Sequence, residues 1–249
     1  MNIFGLIGEN IGYSFSADYF TNKFKTENIQ SCIYKNFDIP DITYFPQIIK
    51  KNKGLAGLNV TIPYKEEIIL YLDELSQKAE EVGAVNTIRV TPEGKLKGYN
   101  TDVYGFEKSL IPLLQPHHTH ALILGKGGAS KAVAWVFRKT GITYAYVSRR
   151  PASDQLSYPD ITQEVMKKFT IVVNCTPLGT FPEVEKCPEL NYKLFSNRHI
   201  AFDLVYNPAQ TEFLKLAQQN GAIIKNGHDM LVFQAEKAWE LWSKENRNL

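Results

Sequence analysis

Cysteine and long apolar runs are both scarce in this sequence, and each shortage excludes a class of protein. The three cysteines, Cys32, Cys175 and Cys187, are odd in number and far apart, so no pair has the spacing of a structural metal site or a redox motif. No segment approaches the roughly 18 apolar residues of a membrane span, and the first residues lack the basic segment and apolar core of a signal peptide. We therefore expect a cytoplasmic protein whose cysteines stay reduced.

An excess of charge of one sign is also lacking. The formal net charge is +2 at pH 7, and no stretch concentrates like charges, which argues against a nucleic-acid or membrane partner. His117, His118 and His120 lie close together, but no cluster of further metal ligands accompanies them, so we expect a solvated loop rather than a metal site. The expected partner is a small molecule, bound by a monomer or a homodimer.

The sequence is rich, by contrast, in short apolar runs that alternate with amphipathic helical patterns. Over the first hundred or so residues this alternation predicts βα units and a largely parallel sheet. The predicted strands cover residues 2–8, 31–37 and 55–61, and the predicted helices cover residues 18–27, 41–52 and 63–72. Residues 85–90 and 95–99 are predicted to form a hairpin.

The pattern changes after a helix that begins near Asp102 and runs into a polar linker around Pro116, which marks a candidate domain boundary. Beyond it the sequence predicts the alternating strands and helices of an α/β domain. The predicted strands are 121–124, 144–148, 171–174, 200–205 and 222–225, and the predicted helices are 129–140 and 211–220. A last helix over residues 230–242 has one apolar face for packing.

A glycine-rich loop joins the first strand of this second half to the helix that follows it. Its residues are Gly125, Lys126, Gly127, Gly128, Ala129 and Ser130. Glycines permit a sharp turn and a close backbone approach, and the N–H groups and dipole of a helix start favour the charge of a pyrophosphate. The context predicts a dinucleotide site, although a tight turn without a ligand could use the same glycines.

The end of the next strand distinguishes the two nicotinamide dinucleotides. An NAD enzyme would place Asp or Glu there to hold the ribose hydroxyls, whereas this chain has Ser148, Arg149 and Arg150. Guanidinium groups can bind a 2′-phosphate through paired hydrogen bonds, so we expect NADP as the cofactor. The alternative is a solvated basic turn.

Four polar clusters in the first half lie next to predicted strands and helices. Taken singly, each has an ordinary structural explanation, because serines often cap helices and Asn and Thr often bond their own backbone at turns. The clusters are Ser14 with Ser16, residues 59–65, residues 83–87 and residues 100–102.

Together these clusters read S-x-S, N-V-T-x-P-x-K, G-A-V-N-T and N-T-D in this order, and on these motifs the chain resembles the shikimate dehydrogenase family, with its shikimate/quinate members. The resemblance extends to the glycine loop and to residues 173–176, 203–206 and 227–234. It implies reversible, NADP-dependent reduction of 3-dehydroshikimate to shikimate, in chorismate and aromatic amino acid biosynthesis. It also implies two domains with a cleft between them: an α/β substrate domain, residues 1–102 plus 230–249, and a Rossmann-like, doubly wound NADP domain, residues 103–229.

The resemblance further implies roles for single residues. Lys65 and Asp102 would be the catalytic pair, because an ammonium group can stabilise and protonate the oxygen of a ketone that is being reduced. The substrate would be bound by Ser14, Ser16, Thr61, Lys65, Asn86, Asp102, Tyr206 and Gln234, the two serines and Tyr206 toward its carboxylate. The cofactor would be bound by Gly125, Lys126, Gly127, Gly128, Ala129, Ser148, Arg149, Arg150, Asn174, Thr176 and Gly227.

The chain departs from the family pattern at a few of these motifs. Ala17 replaces the usual proline after S-x-S, and Lys126 replaces a small residue in the glycine loop. Ser148 and Arg150 flank the matching Arg149 where the family usually has N-R-T.

Two other functions remain as alternatives. A quinate/shikimate dehydrogenase would accept the saturated ring and often NAD, but no acidic residue follows Val147 to hold the ribose of NAD. A non-catalytic sensor would bind dehydroshikimate or NADP without turnover, and its expected signature is the loss of Lys65 or Asp102, which are both present.

Overall fold

The computed structural model describes residues 1–12 and 14–244, which form two compact units. The first unit consists of Met1–Thr101 together with the chain from Gln234 onward, and the second unit is Asp102–Phe233. Among the described residues, no helix combines the length and the apolar character needed to cross a bilayer.

The first unit contains a six-stranded mixed sheet in the order β2-β1-β3-β5-β6-β4. Its strands are β1 Asn2–Gly8, β2 Cys32–Asp38, β3 Leu55–Val60, β4 Glu74–Leu75, β5 Thr87–Val90 and β6 Leu96–Tyr99. The first three strands are parallel, and the hairpin β5–β6 joins them antiparallel to β3. The predicted strand over residues 2–8 and the predicted hairpin are confirmed.

The helices of the first unit are α1 Phe15–Thr26, α2 Phe45–Lys51 and α3 Gln77–Val82. The helix predicted over residues 63–72 is wrong, because Tyr64 N donates to Thr61 O in a turn and only a 3-10 helix, Glu67–Tyr71, follows. A proline fits a turn as well as the first turn of a helix, so Pro63 did not distinguish the two. The short helix α3, capped by Ser76 and ended by Gly83, was not predicted.

The last helix, α8 His228–Ser243, supplies its later turns to the first unit. Trp242 is fully buried, its Nε1 donates to Ile88 O at 2.9 Å, and its ring stacks on Phe4. A Cβ on Gly57 would lie 2.3 Å from the same Nε1, so only glycine at this point of β3 admits the indole. The end of the chain therefore completes the core of the first unit.

The second unit contains a five-stranded, all-parallel sheet in the order β11-β10-β9-β7-β8. Its strands are β7 His120–Leu124, β8 Thr143–Val147, β9 Ile171–Asn174, β10 Ile200–Asp203 and β11 Ile223–Lys225. Its helices are α4 Asp102–Leu110, α5 Gly128–Thr140, α6 Gln163–Lys168 and α7 Glu212–Gln219. The chain runs from β7 outward to β8 and then returns to β9 on the other side, which is the switch point where doubly wound sheets bind ligands.

Helices cover both faces of this sheet. Ala201 packs in a cluster with Phe213 of α7, whereas its neighbour Phe202 packs against Phe106 of α4 at a centroid distance of 5.0 Å. Successive strand residues point to opposite faces, so α7 and α4 lie on opposite sides of the sheet. The expected doubly wound, Rossmann-like architecture is confirmed.

Candidate active site

Thr61 lies at the carboxyl end of β3, beside the end of β1. Its backbone N–H donates to Ile7 O at 2.9 Å, which continues the pairing of the two strands beyond the sheet. A Cβ on Gly8 would lie 2.5 Å from Thr61 Cγ2, so glycine permits this close approach. Thr61 is half-exposed and lies at the carboxyl ends of the parallel strands, which is where parallel sheets bind their ligands.

Ser14 and Ser16 lie at the start of α1. Ser14 is the N-cap, and its Oγ accepts from Ala17 N at 3.4 Å. Ser16 is the second residue of the helix and is 8% exposed. The ordinary explanation, a serine that caps a helix, therefore holds for Ser14. Both serines nevertheless lie at the start of the same helix.

Asn86 and Gln234 come together in the first unit although 148 positions separate them. Asn86 Nδ2 donates to Gln234 Oε1 at 3.4 Å, and Asn86 Oδ1 accepts from Thr101 N at 2.7 Å. All three residues are buried. The helix α8 thereby returns a side-chain amide to the polar residues that precede β5 and follow β6.

Behind this group lies a second set of polar side chains, buried except for the half-buried Tyr34, that was not predicted as part of the site. Thr87 Oγ1 lies 3.0 Å from Thr101 Oγ1. Asn59 Nδ2 donates to Thr87 Oγ1 at 3.4 Å. Tyr34 donates to Asn59 Oδ1 at 2.8 Å. Burial raises the pKa of Tyr34 well above its ordinary value, and an interaction with Ser16 partly opposes the increase, so the phenol stays protonated and can act as a donor.

Lys65 and Asp102 belong to different units. Lys65 is half-buried, and its carbonyl accepts from Val85 N at 2.7 Å, which fixes the backbone that carries the ammonium group. Asp102 is the first residue of α4 and is 5% exposed. A carboxylate in the first turn of a helix interacts favourably with the helix dipole.

The glycine loop has the geometry of an anion site. Gly125 has φ +94°, and a Cβ there would lie 2.9 Å from Thr176 Cγ2, so glycine is needed. Gly127 is the N-cap of α5 without a side-chain capping bond, and a Cβ on it would meet nothing within 4 Å. Gly128 and Ala129 begin the helix, and Lys126 is exposed. The space over Gly127 and the uncapped helix start together fit a pyrophosphate.

The basic turn after β8 is open to solvent. Arg149 and Arg150 are both exposed, and Arg150 N donates to Ser148 Oγ at 3.2 Å, which shapes the turn. Such arginines can reach a phosphate in solution, because neither guanidinium group is buried in the unit. The turn lies at the carboxyl edge of the sheet, next to the strand β7 that leads into the glycine loop.

Asn174 ends β9 with its side chain fully buried. Its Oδ1 accepts from Thr176 N at 3.0 Å and from Thr176 Oγ1 at 2.7 Å, and its Nδ2 donates to Asp203 Oδ1 at 2.9 Å. The amide therefore holds the loop that carries Thr176, and that loop lies against Gly125.

Tyr206 and Gly227 lie in the second unit, beyond β10. Tyr206 is 37% exposed. A Cβ on Gly227 would lie 2.2 Å from Leu204 O. The close packing against the Leu204 backbone is therefore enough to require glycine here, whether or not a cofactor binds.

Comparison with known proteins identifies the family to which this chain belongs. The model of the shikimate dehydrogenase substrate-binding domain matches residues 6–88. A protein from Clostridium botulinum named shikimate dehydrogenase (NADP(+)) is 39% identical, and the match covers 96% of this chain and 95% of the relative. The chain belongs to the shikimate dehydrogenase family.

Solved structures of the shikimate dehydrogenase family have the same fold. Shikimate dehydrogenase 1 from Peptoclostridium difficile is 37% identical with a TM-score of 0.81, covering 100% of this chain and 94% of that one. The shikimate 5-dehydrogenase of Thermus thermophilus, solved in complex with NADP(H) and shikimate, is 30% identical with a TM-score of 0.85, covering 98% and 94%. The predicted family and fold are therefore confirmed.

Sequence reasoning in this shikimate dehydrogenase family member missed the residues that support the site. Thr87 and Asp203 are buried and hydrogen-bond to the predicted site residues Asn86 and Asn174. The half-buried Tyr34 donates to Asn59 behind them. Thr87 and Asp203 lie inside the quoted motifs, and a polar residue inside an otherwise apolar strand was the signal that could have found them.

Proposed function

We propose that this protein catalyses the reversible, NADP-dependent reduction of 3-dehydroshikimate to shikimate. The observation that supports it most is family membership across nearly the whole chain, with the four polar motifs of the first half present in the family's order. We further propose that the first unit binds the substrate and the second unit binds NADP.

The substrate has a carboxylate and ring hydroxyls, and the first unit offers donors and acceptors for both. We assign the carboxylate to the hydroxyls of Ser14 and Ser16 at the start of α1, with Thr61, at the end of β3, also at the substrate. Asn86 and Gln234 would hold ring hydroxyls, because side-chain amides both donate and accept. Tyr206 of the second unit would contribute its hydroxyl toward the carboxylate.

Lys65 and Asp102 would carry the chemistry. Reduction of a ketone builds negative charge on its oxygen, and an ammonium group placed there stabilises that charge and donates the proton. In the reverse direction the same amine accepts the proton of the hydroxyl. Asp102 would orient Lys65 and would also bind a ring hydroxyl.

NADPH, when bound, supplies the hydride that the reaction needs. The backbone of Gly125, Lys126, Gly127, Gly128 and Ala129 would hold its pyrophosphate, and Ser148, Arg149 and Arg150 would hold the 2′-phosphate. We assign Asn174, Thr176 and Gly227 to the nicotinamide side. Since the amide of Asn174 is engaged inside the unit, its contribution would be to position Thr176.

The deciding experiment follows the NADPH absorbance band while the purified protein is mixed with shikimate and NADP, with NAD and quinate as parallel arms. Turnover with shikimate and NADP alone is the expected result. Comparable turnover with quinate or NAD would assign the enzyme to the broader quinate/shikimate branch. Binding of either ligand without turnover in any arm would favour the non-catalytic sensor.

A further inference from the structure

A buried hydroxyl group occupies the middle of the first unit's sheet. Thr87 in β5 pairs with Asn59 of β3 on one side and with Tyr99 of β6 on the other. Its exposed fraction is 0%, so it has no surface with which to contact a substrate. Valine would have the same shape without the cost of removing a hydroxyl from water, so the hydroxyl requires a specific explanation.

The partners of this hydroxyl explain it. Thr87 Oγ1 donates to Asn86 Oδ1 at 3.1 Å, and Thr101 Oγ1 lies 3.0 Å away. The Thr101 backbone amide, which can only donate, also reaches Asn86 Oδ1. The oxygen of the Asn86 amide must therefore face Thr87 and Thr101, and its nitrogen must face Gln234.

Thr87 is itself held by Asn59. Asn59 Nδ2 donates to Thr87 Oγ1 and to the backbone carbonyl of Asn86, each at 3.4 Å, which fixes the orientation of this second amide. Its Oδ1 accepts from the phenol of Tyr34 at 2.8 Å. The ring of Tyr34 is stacked on Phe20 at a centroid distance of 4.8 Å. A continuous hydrogen-bonded path thus runs from Tyr34 to Asn86.

We propose that Thr87 is a positioning residue that fixes the side-chain amide of Asn86 for recognition of a ring hydroxyl, and that Asn59 and Tyr34 hold Thr87 in turn. The inference rests on the proposed function, which assigns Asn86 to the substrate. A buried network whose members are all hydrogen-bonded retains one orientation, because each alternative leaves a polar group unpaired.

The test compares Thr87→Val, which removes only the hydroxyl, with Thr87→Ser, which keeps it. At saturating NADP we expect Thr87→Val to raise KM for shikimate about tenfold while kcat changes by less than about threefold. Thr87→Ser should stay within about twofold of the wild type, and KM for NADP should not change in either variant. Thr170→Val is the matched control, because this buried threonine lies in the second unit and donates to the His117 carbonyl.

A double-mutant cycle with Asn86→Ala distinguishes positioning from a general loss of stability. If Thr87 acts through Asn86, the double variant should have the KM of Asn86→Ala alone, whereas multiplied effects would overturn the proposal. Should Thr87→Val fail to fold, Tyr34→Phe keeps the stacked ring and should raise KM about threefold by releasing Asn59.

The possible failures are distinguishable. A wild-type protein that turns over shikimate, with unchanged KM in both Thr87→Val and Tyr34→Phe, would overturn the role of Thr87 and leave the proposed function intact. A wild-type protein without shikimate turnover would overturn the proposed function, and the assignment of Thr87 with it.

Discussion

The side-chain amide of Asn174 donates a 2.9 Å hydrogen bond to the carboxylate of Asp203, and both side chains are fully buried. Asp203 also accepts from Val205 N at 3.0 Å and from Thr211 Oγ1 at 2.5 Å. One carboxylate therefore ties the ends of β9 and β10 to the N-cap of α7. Burial raises the pKa of Asp203 to about 7, although these three donors oppose the increase.

Asp203 should make the stability of the protein depend on pH. Its pKa in the folded state lies above that of the unfolded chain, so its stabilising contribution is complete below about pH 4 and is lost as the pH rises through about 7. The slope from this one group should not exceed about 1.4 kcal/mol per pH unit. Asp203→Asn should flatten the dependence of Tm on pH between about 4 and 7, because an amide does not titrate. An unchanged slope in this variant would assign the dependence to other groups.

Replacement of Lys65 by alanine should affect the chemical step. We expect Lys65→Ala to lower kcat about a hundredfold or more and to leave KM for shikimate comparatively unchanged. The reason is that the ammonium group stabilises negative charge that develops only in the transition state. Steady-state assays with NADP and shikimate measure both constants. Lys97→Ala is the matched control, because Lys97 pairs with Glu74 on the surface of the same unit. Full turnover in Lys65→Ala would remove Lys65 from the mechanism.

Replacement of Arg149 should affect the cofactor and not the chemistry. Arg149→Ala is expected to raise KM for NADP about tenfold and to spare kcat, because a guanidinium–phosphate contact acts in binding. KM for NAD, which lacks the 2′-phosphate, should change little. Arg138→Ala, in the same unit, serves as the control, since Arg138 contacts Tyr144 at the surface. Equal losses for NADP and NAD would place Arg149 away from the 2′-phosphate.

The two glycines of the cofactor loop should respond differently to alanine. Gly127→Ala should leave Tm within about 1 °C of the wild type, because Gly127 has φ −72° and open space around its Cβ position, yet it should raise KM for NADP about tenfold. Gly125→Ala should lower stability by about 1–2 kcal/mol, because φ +94° suits glycine alone. Thermal unfolding and NADP titration separate the two effects. Normal NADP binding by a stable Gly127→Ala protein would contradict the pyrophosphate assignment.

Local pattern was enough to predict most of the strands and helices. Short apolar runs located β1 and β9. The succession of a strand, a group of glycines and a helical pattern located the cofactor loop and the helix α5. The prediction was wrong where short-range signals are ambiguous. Pro63 suits both a turn and a helix start, and a six-residue helix such as α3 carries too few residues to show a helical period.

The sequence by itself determined the family, the order of elements and the identity of the polar residues at the strand ends, because periodicity, turn chemistry and motif order are local properties of the chain. Only the tertiary structure decided which of those residues meet. Gln234 contacts Asn86 because α8 packs in the first unit. Trp242, in the same helix, packs against Gly57 for the same reason. Thr87 became the centre of a network, and Asp203 a buried acid, through strand pairing. Such contacts depend on the burial and packing of residues far apart in the chain, which local spacing does not encode.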